Sequence, residues 1–219
     1  MEKRKIVFGS YNTAAQGWTL TSWSLGDPQY KSNMVDVPGG DGEIDLSTVL
    51  TDGEPRYAGR PLTATFESSN GTRLEREAAI NTMRNWLDGW SVNIELPDDP
   101  AHYITGRLHV AKLYSDMAHA SVQVTATCQP WRYAIDETRV VLTAGEEEQT
   151  ATLINQGRRS VVPLIEIQGG PVTLKFGTAS WALGAGTYAL PDITLKQGEA
   201  QLVYSGTGTV TLTYREAVL

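Results

Sequence analysis

The chain has 219 residues, of which 41% are hydrophobic and 20% are charged, and its formal net charge is −7. This composition is typical of a folded protein with a substantial core, and it excludes intrinsic disorder. Acidic residues outnumber basic ones in both parts of the chain, 16 to 12 up to Tyr133 and 9 to 6 after it. No basic region therefore supplies the phosphate contacts that sequence-independent nucleic-acid binding needs.

Cys128 is the only cysteine, which excludes an intrachain disulfide and a cysteine-based zinc cluster. The opening "MEKRKIVFGSYN" has only "IVF" as an apolar run, too short for the core of a signal peptide. No stretch reaches the roughly 20 apolar residues of a membrane helix. We therefore expect no signal peptide and no membrane span, in a protein that stays in the cytoplasm or leaves by cell lysis.

Two tryptophans stand out near the start, Trp18 and Trp23 in "GWTLTSWSL". They have opposite parity in a strand, so at least one is expected to face outward. An exposed aromatic side chain suggests contact with a protein or a sugar.

The stretch "DVPGGDGEIDLS", residues 36–47, allows three interpretations: a phosphate loop, a calcium loop or a shaped connection that docks onto a protein. A phosphate loop is excluded because no Lys-Ser or Lys-Thr follows and the carboxylates would repel the ligand. Calcium is favoured by Asp41, Glu43 and Asp45 at alternate positions and by Asp52 at the last EF-hand position, but a leucine replaces the turn glycine and no second helix follows. The sequence thus predicts a shaped connection without a metal.

Strands are predicted where apolar residues alternate with polar ones, and these positions should face a core. The inward positions are Leu62, Ala64 and Phe66, then Val92, Ile94 and Leu96, then Val122, Val124, Ala126 and Cys128. Cys128 continues an inward series, so it is predicted to be a buried, inert thiol.

One helix is predicted, over residues 72–88, "TRLEREAAINTMRNWLD". Thr72 and Glu75 fit the capping box, and Gly89 fits the residue that follows a helix end. The predicted packing face consists of Leu74, Ala78, Met83, Trp86 and Leu87.

No catalytic signature is found, since there is neither a G-x-S-x-G elbow nor a catalytic motif around the cysteine. His102, His109 and His119 are not spaced as metal ligands, and His109 is predicted to lie on an exposed face. Asp98 and Asp99 in "LPDDP" are interpreted as a turn between strands. We predict that the protein is not an enzyme and has no metal and no cofactor.

A domain boundary is predicted near "YAIDET", giving domains 1–136 and 137–219. After it, short apolar runs recur between turn residues, as in a β-sandwich. The runs are "TRVVLTA", "ATLIN", "VVPLIEI", "VTLKF", "TYALP", "AQLVYS" and "TVTLTY". The acidic triplet at residues 146–148 is predicted to be a solvated turn.

Several motifs in this order resemble those of the distal tail protein family of long-tailed phages. In the first part they are Pro38 to Gly42, the Tyr-x-x-Arg of Tyr57 to Arg60, the helix ending at Gly89, and the Tyr-x-x-Gly-Arg of Tyr103 to Arg107. In the second part they are Asn155, Gly157, Pro163, Ile165, Ile167 and Gly169 within "LINQGRRSVVPLIEIQGG". The likeness covers nearly the whole chain and matches the short form of the family, without an inserted carbohydrate-binding module.

The resemblance implies a mainly β protein: an N-terminal split-barrel-like β domain with one packed helix, then a C-terminal galectin-like β-sandwich. It implies a virion structural protein, assembled in the host cytoplasm, that forms a hexameric ring joining the tail tube to the tail-tip hub. The expected partners are other copies of the chain, the tail tube protein, the hub protein and the tape measure protein. The expected contact residues are Val37, Pro38, Gly39, Gly40, Asp41, Gly42, Trp18 and Trp23.

Two other functions remain open at this point. A galectin-like sandwich with Trp181 and Tyr188 could act as a carbohydrate-binding module for host cell-wall sugars. A glycoside hydrolase would need two carboxylates at a fixed separation, which the sequence alone does not give.

Overall fold

The structure is a computed structural model that describes residues 5–51 and 53–219. It is mainly β with one helix among the described residues, which confirms the predicted class. Contacts divide the chain into two compact units, one ending at Arg132 and the other spanning Tyr133–Leu219.

The elements are β1 Val7–Phe8, β2 Tyr11–Asn12, β3 Thr19–Leu25, β4 Met34–Asp36, β5 Glu43–Asp45, β6 Arg60–Ser68, α1 Arg73–Leu87, β7 Ser91–Leu96, β8 Asp99–Ser115, β9 Ala120–Ala134, β10 Thr138–Thr143, β11 Gln149–Asn155, β12 Leu164–Phe176, β13 Ala179–Leu183, β14 Gly186–Ala189, β15 Gly198–Tyr214 and β16 Ala217–Val218.

The first unit is built on an antiparallel sheet, curled into a half-barrel, with strand order β2-β1-β7-β8-β9-β6-β3. The predicted alternation is confirmed along β6 and β9, where Leu62, Phe66 and Val124 are among the inward residues that are buried. These side chains form one core with Phe8 and with the inner face of the helix. Burial of this apolar surface is the main favourable term in the stability of the unit.

The helix begins and ends as the sequence predicts. Thr72 is its N-cap, the Glu75 N–H donates to the Thr72 hydroxyl at 3.3 Å, and the Thr72 N–H donates to Glu75 Oε2 at 2.6 Å. The bond from the Thr72 N–H holds the pKa of the Glu75 carboxyl below its ordinary value. Gly89 follows with φ of 79°, in the left-handed region that glycine tolerates. None of the helical segments in the described ranges is long and apolar enough to cross a membrane.

Replacing Thr72 with alanine is expected to lower the free energy of unfolding by about 1 kcal/mol, because the substitution removes the hydroxyl that caps the helix. Urea denaturation followed by circular dichroism measures the change. Thr82→Ala is the matched control: Thr82 is exposed within the same helix, and its substitution should change stability by less than about 0.5 kcal/mol. Equal losses for both variants would contradict a capping role.

The buried face of the helix differs from the predicted one. The buried residues are Arg76, Ile80, Met83 and Leu87, whereas Leu74 is 80% exposed, Trp86 is 58% exposed and Ala78 is also exposed. The prediction of Leu74, Ala78 and Trp86 as core residues was therefore wrong. The reason is that Arg76, a charged residue, occupies the first inward position of the helix. A prediction based on apolar residues alone therefore selects the wrong face.

The second unit consists of one six-stranded antiparallel sheet in which β12 and β15 are long and bent. The first half of β12 pairs with β14 and its second half with β13, while the two halves of β15 pair with β11 and β10. Ile165 and Leu212 from one side of the bend share a core with Leu174 and Leu202 from the other. One folded sheet therefore encloses the core in two layers.

Glycines allow this bend. The register between β12 and β15 shifts between Gly169 and Val172, and Gly169 has φ of 86° and Gly206 φ of 133°. A Cβ on Gly206 would overlap the carbonyl oxygen of Pro171, so a larger residue could not pass the bend without moving it. The sequence suggests "VVPLIEI" and "VTLKF" as two strands, but the "LIEI" of the first and the whole of the second lie in β12. It likewise suggests "AQLVYS" and "TVTLTY" as two strands, but both lie in β15. A bulge interrupts the pairing of these two long strands at the bend.

Candidate interaction site

A segment of the first unit, residues 27–59, leaves the sheet between β3 and β6, and we call it the arm. Its stem is closed by backbone bonds, from the Lys31 N–H to the Arg56 carbonyl and from the Ala58 N–H to the Gln29 carbonyl, both at 2.8 Å. Beyond the stem, β4 and β5 form a two-stranded sheet separate from the half-barrel. The arm contains the motif "DVPGGDGEIDLS" that the sequence singles out.

The tip of the arm is the six-residue connection from Val37 to Gly42. The Gly40 N–H donates to the Val37 carbonyl at 3.0 Å, and Gly39 has φ of 84°. In this four-residue turn, proline occupies the second position and a glycine with φ near about +80° occupies the third, which is typical of a type II turn. Gly42 also has a positive φ, 78°, whereas Gly40 does not. Gly39 and Gly42 are therefore the positions where the backbone requires glycine.

Hydrogen bonds fix the base of the hairpin. Asp45 Oδ1 accepts from the Ser47 N–H at 2.8 Å, and the Ser47 hydroxyl accepts from the Asn33 N–H at 2.7 Å. The Ser47 hydroxyl and N–H hold the pKa of the Asp45 carboxyl below its ordinary value. This aspartate thus has a structural partner and remains ionised at neutral pH.

Apolar side chains of the arm lie in solvent. Leu50 is 95% exposed, Val49 65%, Ile44 52% and Met34 47%. Every residue of β4 and β5 is exposed, so neither face of the hairpin is covered by its own unit. A two-stranded hairpin with apolar residues on its surface is marginally stable alone, and such a patch is typical of an interaction site.

The arm also concentrates negative charge. Residues 27–59 contain seven carboxylates and two basic residues, a net charge of −5, whereas the other residues up to Tyr133 contain ten basic and nine acidic residues. The half-barrel without the arm is therefore close to neutral. The acidic surface of this unit belongs to the arm.

The calcium interpretation finds no support in the described part of the chain. No group of three or more histidine, cysteine, aspartate or glutamate side chains is arranged there to hold a metal ion. Asp41, Glu43 and Asp45 lie along the tip and β5, and Asp52 lies outside the described residues.

The structure brings Trp18 and Trp23 to the same side of the sheet. Trp18 is 2% exposed in the core, and Trp23 is half-buried against it. The expectation that one of them faces outward was wrong because a bulge between Leu20 and Ser22 changes the parity of β3. Trp18 therefore supports the core and offers no surface in this unit.

Cys128 is buried, as predicted, with 1% of its surface exposed. Burial raises the pKa of its thiol from 9.0 to about 11, against the opposing charge of Arg60. Because the thiolate is the reactive form, we expect no reaction with a disulfide reagent at pH 8 in the folded protein and complete reaction after unfolding in urea. Rapid labelling without denaturant, measured by absorbance of the released thiol, would contradict this assignment.

Sequence reasoning missed a polar cluster that links the β7–β8 turn to β9. Asp99 Oδ1 contacts His102 Nδ1 at 2.7 Å, and Arg132 Nη1 donates to Asp99 Oδ2 at 2.7 Å. The turn predicted at "LPDDP" is present between β7 and β8, but it consists of Pro97 and Asp98, and Asp99 is already the first residue of β8. His109 lies on the exposed face of β8, also as predicted, with Nδ1 2.9 Å from Asp88 Oδ1.

The two aromatic residues of the carbohydrate interpretation lie in the second unit. Trp181 lies opposite Leu174 and Tyr188 opposite Ile165, on opposite sides of the bend in β12. Both rings are half-buried against the core, and the Tyr188 hydroxyl donates to the Gly184 carbonyl at 3.2 Å. These contacts give both rings a packing role.

Comparison with solved structures identifies a fold. The chain matches the Dit (gp 19.1) protein of phage SPP1, described as a paradigm of the hub adsorption apparatus in phages that infect Gram-positive bacteria. The TM-score is 0.71 at 14% identity, over 98% of this chain and 99% of that one. This chain has the Dit fold. The resemblance that the sequence motifs indicate is thus confirmed at the level of fold.

A second likeness, to a chain of the phage P2 baseplate in its activated conformation with Ca, has a TM-score of 0.48 at 9% identity, over 97% of this chain and 98% of that one. No protein-family model matches the sequence, and no curated protein matches it. The Dit fold is therefore recognised here through its architecture and not through sequence identity.

Proposed function

We propose that this protein is a phage tail structural protein, a distal tail protein that forms a hexameric ring and joins the tail tube to the tail-tip hub. The observation that carries the proposal is the match to SPP1 Dit over nearly the full length of both chains. A match that spans both units supports a shared role better than a likeness of one common β domain.

The arm is the part of the first unit best suited to contact a neighbouring copy. Its hairpin exposes apolar side chains and a dense negative charge, and neither face is covered within its own unit. In the proposed ring the tip from Val37 to Gly42 reaches the next subunit and sets its register. Burial of Met34, Val35 and Ile44 there would supply the apolar contact that the isolated unit lacks.

The contacts of the proposed ring are made by the first unit, and the second unit takes no part in them. The tube and hub proteins then bind the two faces of the ring, and the tape measure protein is a further candidate partner. The two cores support this division, because each contains its own set of buried side chains.

Separate expression tests the division. We expect residues 1–136 to fold and to associate with the tube or hub protein, and residues 138–219 to fold as a monomer. Circular dichroism and light scattering report folding and mass. Six-membered rings formed by the second fragment alone would refute the assignment of assembly to the first unit.

Immunogold labelling of virions tests the proposed location. Antibody against this protein should label the distal end of the tail, and phage lacking the gene should yield particles without complete tails. Label confined to the capsid, or normal tails in the deletion phage, would reject the proposal.

A further inference from the structure

Arg60 occupies an unusual position for an arginine. It begins β6, lies opposite Cys128 in the sheet and is only 5% exposed. Its Nε and Nη2 atoms are enclosed and have no hydrogen-bond partner among the described residues. These two nitrogens form one edge of the guanidinium, the edge that binds the two oxygens of a carboxylate or phosphate side by side.

The surroundings of Arg60 add positive charge. Burial lowers the pKa of the Arg60 guanidinium, and the charge of Arg132 lowers it further, while Cys128 and Asp27 act in the opposite direction. The carboxylate that binds Arg132 is Asp99, which contacts Arg132 through one oxygen and His102 through the other. Neither Asp99 nor Asp27 accepts a hydrogen bond from Nε or Nη2 of Arg60.

Two enclosed N–H groups of a guanidinium that lack an acceptor are unfavourable, and one bidentate anion would supply both acceptors. An oxyanion also neutralises two neighbouring guanidinium groups at once, which a neutral ligand cannot do. We propose that Arg60, supported by Arg132, forms an oxyanion site at this end of the half-barrel. The ligand binds the Nε and Nη2 edge of Arg60 through two oxygens.

The oxyanion could be a carboxylate of a neighbouring polypeptide or a free phosphate ion, since both present two oxygens at the required spacing. The acidic arm of a second copy is the polypeptide source that the charge distribution favours. Binding of a carboxylate from the arm of a second copy depends on the proposed ring, whereas binding of free phosphate does not.

Thermal unfolding of the full chain in phosphate and in chloride at equal ionic strength tests the site itself. The wild-type protein should melt about 3 °C or more higher when phosphate is at ten times its Kd. Arg60→Met and Arg60→Lys should both lose most of this rise. The lysine variant keeps the positive charge, but it lacks the paired N–H donors with which a guanidinium binds two oxygens. Arg73→Gln, which removes an exposed arginine of the first helical turn, should keep the full rise.

Equal melting temperatures in phosphate and chloride for the wild type would overturn the proposal. A full rise in Arg60→Lys would also overturn it, because the ion would then bind elsewhere. The lysine variant keeps the test decisive even if Arg60→Met does not fold.

Light scattering of the folded chain separates the two sources. If the arm of a second copy fills the site, phosphate should weaken self-association severalfold, and Arg60→Lys should weaken it as well. If phosphate raises the melting temperature and leaves association unchanged, the free ion is the ligand and the ring proposal is unaffected.

Discussion

Replacing Arg76 with methionine is expected to lower the free energy of unfolding of the first unit by about 3–5 kcal/mol. Arg76 is 2% exposed and lies on the inner face of the helix. Nη1 donates to the carbonyls of Asn70 and Gly71 at 3.4 and 2.6 Å, and Nη2 donates to those of Asp116 and Met117 at 3.1 and 2.9 Å. One guanidinium thus joins the loop before the helix to the turn between β8 and β9.

The loss is large because the substitution leaves four carbonyl groups without this donor. Each bond from a charged donor contributes about 1.5–3 kcal/mol, and the bonds from Arg76 are partly shielded from water because the guanidinium is buried. Typical domains have a total stability of about 5–15 kcal/mol, so the expected loss is at least about a fifth of it.

Tryptophan fluorescence in urea measures the change, since five of the six tryptophans precede Tyr133 and report on the first unit. Arg73→Met is the matched control, an exposed arginine on the same helix, and should change stability by less than about 0.5 kcal/mol. Equal effects of the two substitutions would show that Arg76 does not hold the two loops together.

Replacing Gly39 and Gly42 together with valine is expected to abolish ring assembly while both units remain folded. At φ of 84° and 78° a residue with a Cβ costs about 1–2 kcal/mol each, and a β-branched residue is the least tolerant. Apart from the chain neighbours, no atom of the described residues lies within 4 Å of a Cβ built at either position, so the effect comes from the backbone and not from a clash. The tip would adopt another shape and lose its fit to the next subunit.

Gly40 provides the control for this pair. It has no positive φ, and a Cβ there would lie 3.5 Å from Val37, an ordinary contact. Gly40→Ala should therefore assemble like the wild type when scored by size-exclusion chromatography with light scattering. Normal rings from the double valine variant, or equal damage from Gly40→Ala, would remove the tip from assembly.

Local signals in the sequence predicted much of this structure. The helix caps at Thr72 and Gly89 and the inward series ending at Cys128 were predicted because each depends on residues close in the chain. The glycine-rich tip was recognised as a shaped connection for the same reason, although the structure identifies Gly39 and Gly42 as its left-handed positions and not Gly40.

The errors arise where pairing across the sheet changes a local pattern. The bulge in β3 places Trp18 and Trp23 on one face despite their opposite parity, and the bulges in β12 and β15 join runs that turn residues seemed to separate. Neither effect follows from composition or periodicity along a single strand. The exposed side of the helix was misassigned because Arg76 takes a core position through bonds to residues 40 and 41 positions away.

The polar clusters could not be predicted for a related reason. Asp99 and Arg132 belong to no recognised motif, and the Tyr-x-x-Arg motif that ends at Arg60 does not indicate that its guanidinium is buried. Only the order of β8, β9 and β6 in the sheet brings them together.

The most direct test of the central claim is the oligomeric state of the protein with its tail partners. Negative-stain electron microscopy, with native mass spectrometry on the same samples, should be applied to the purified chain alone and to the chain co-expressed with the tube and hub proteins of the same phage. The proposed function predicts six-fold rings with six times the mass of one chain, stacked on the tube in the co-expressed sample. A chain that stays monomeric in both samples, or that forms rings of another symmetry, would contradict it.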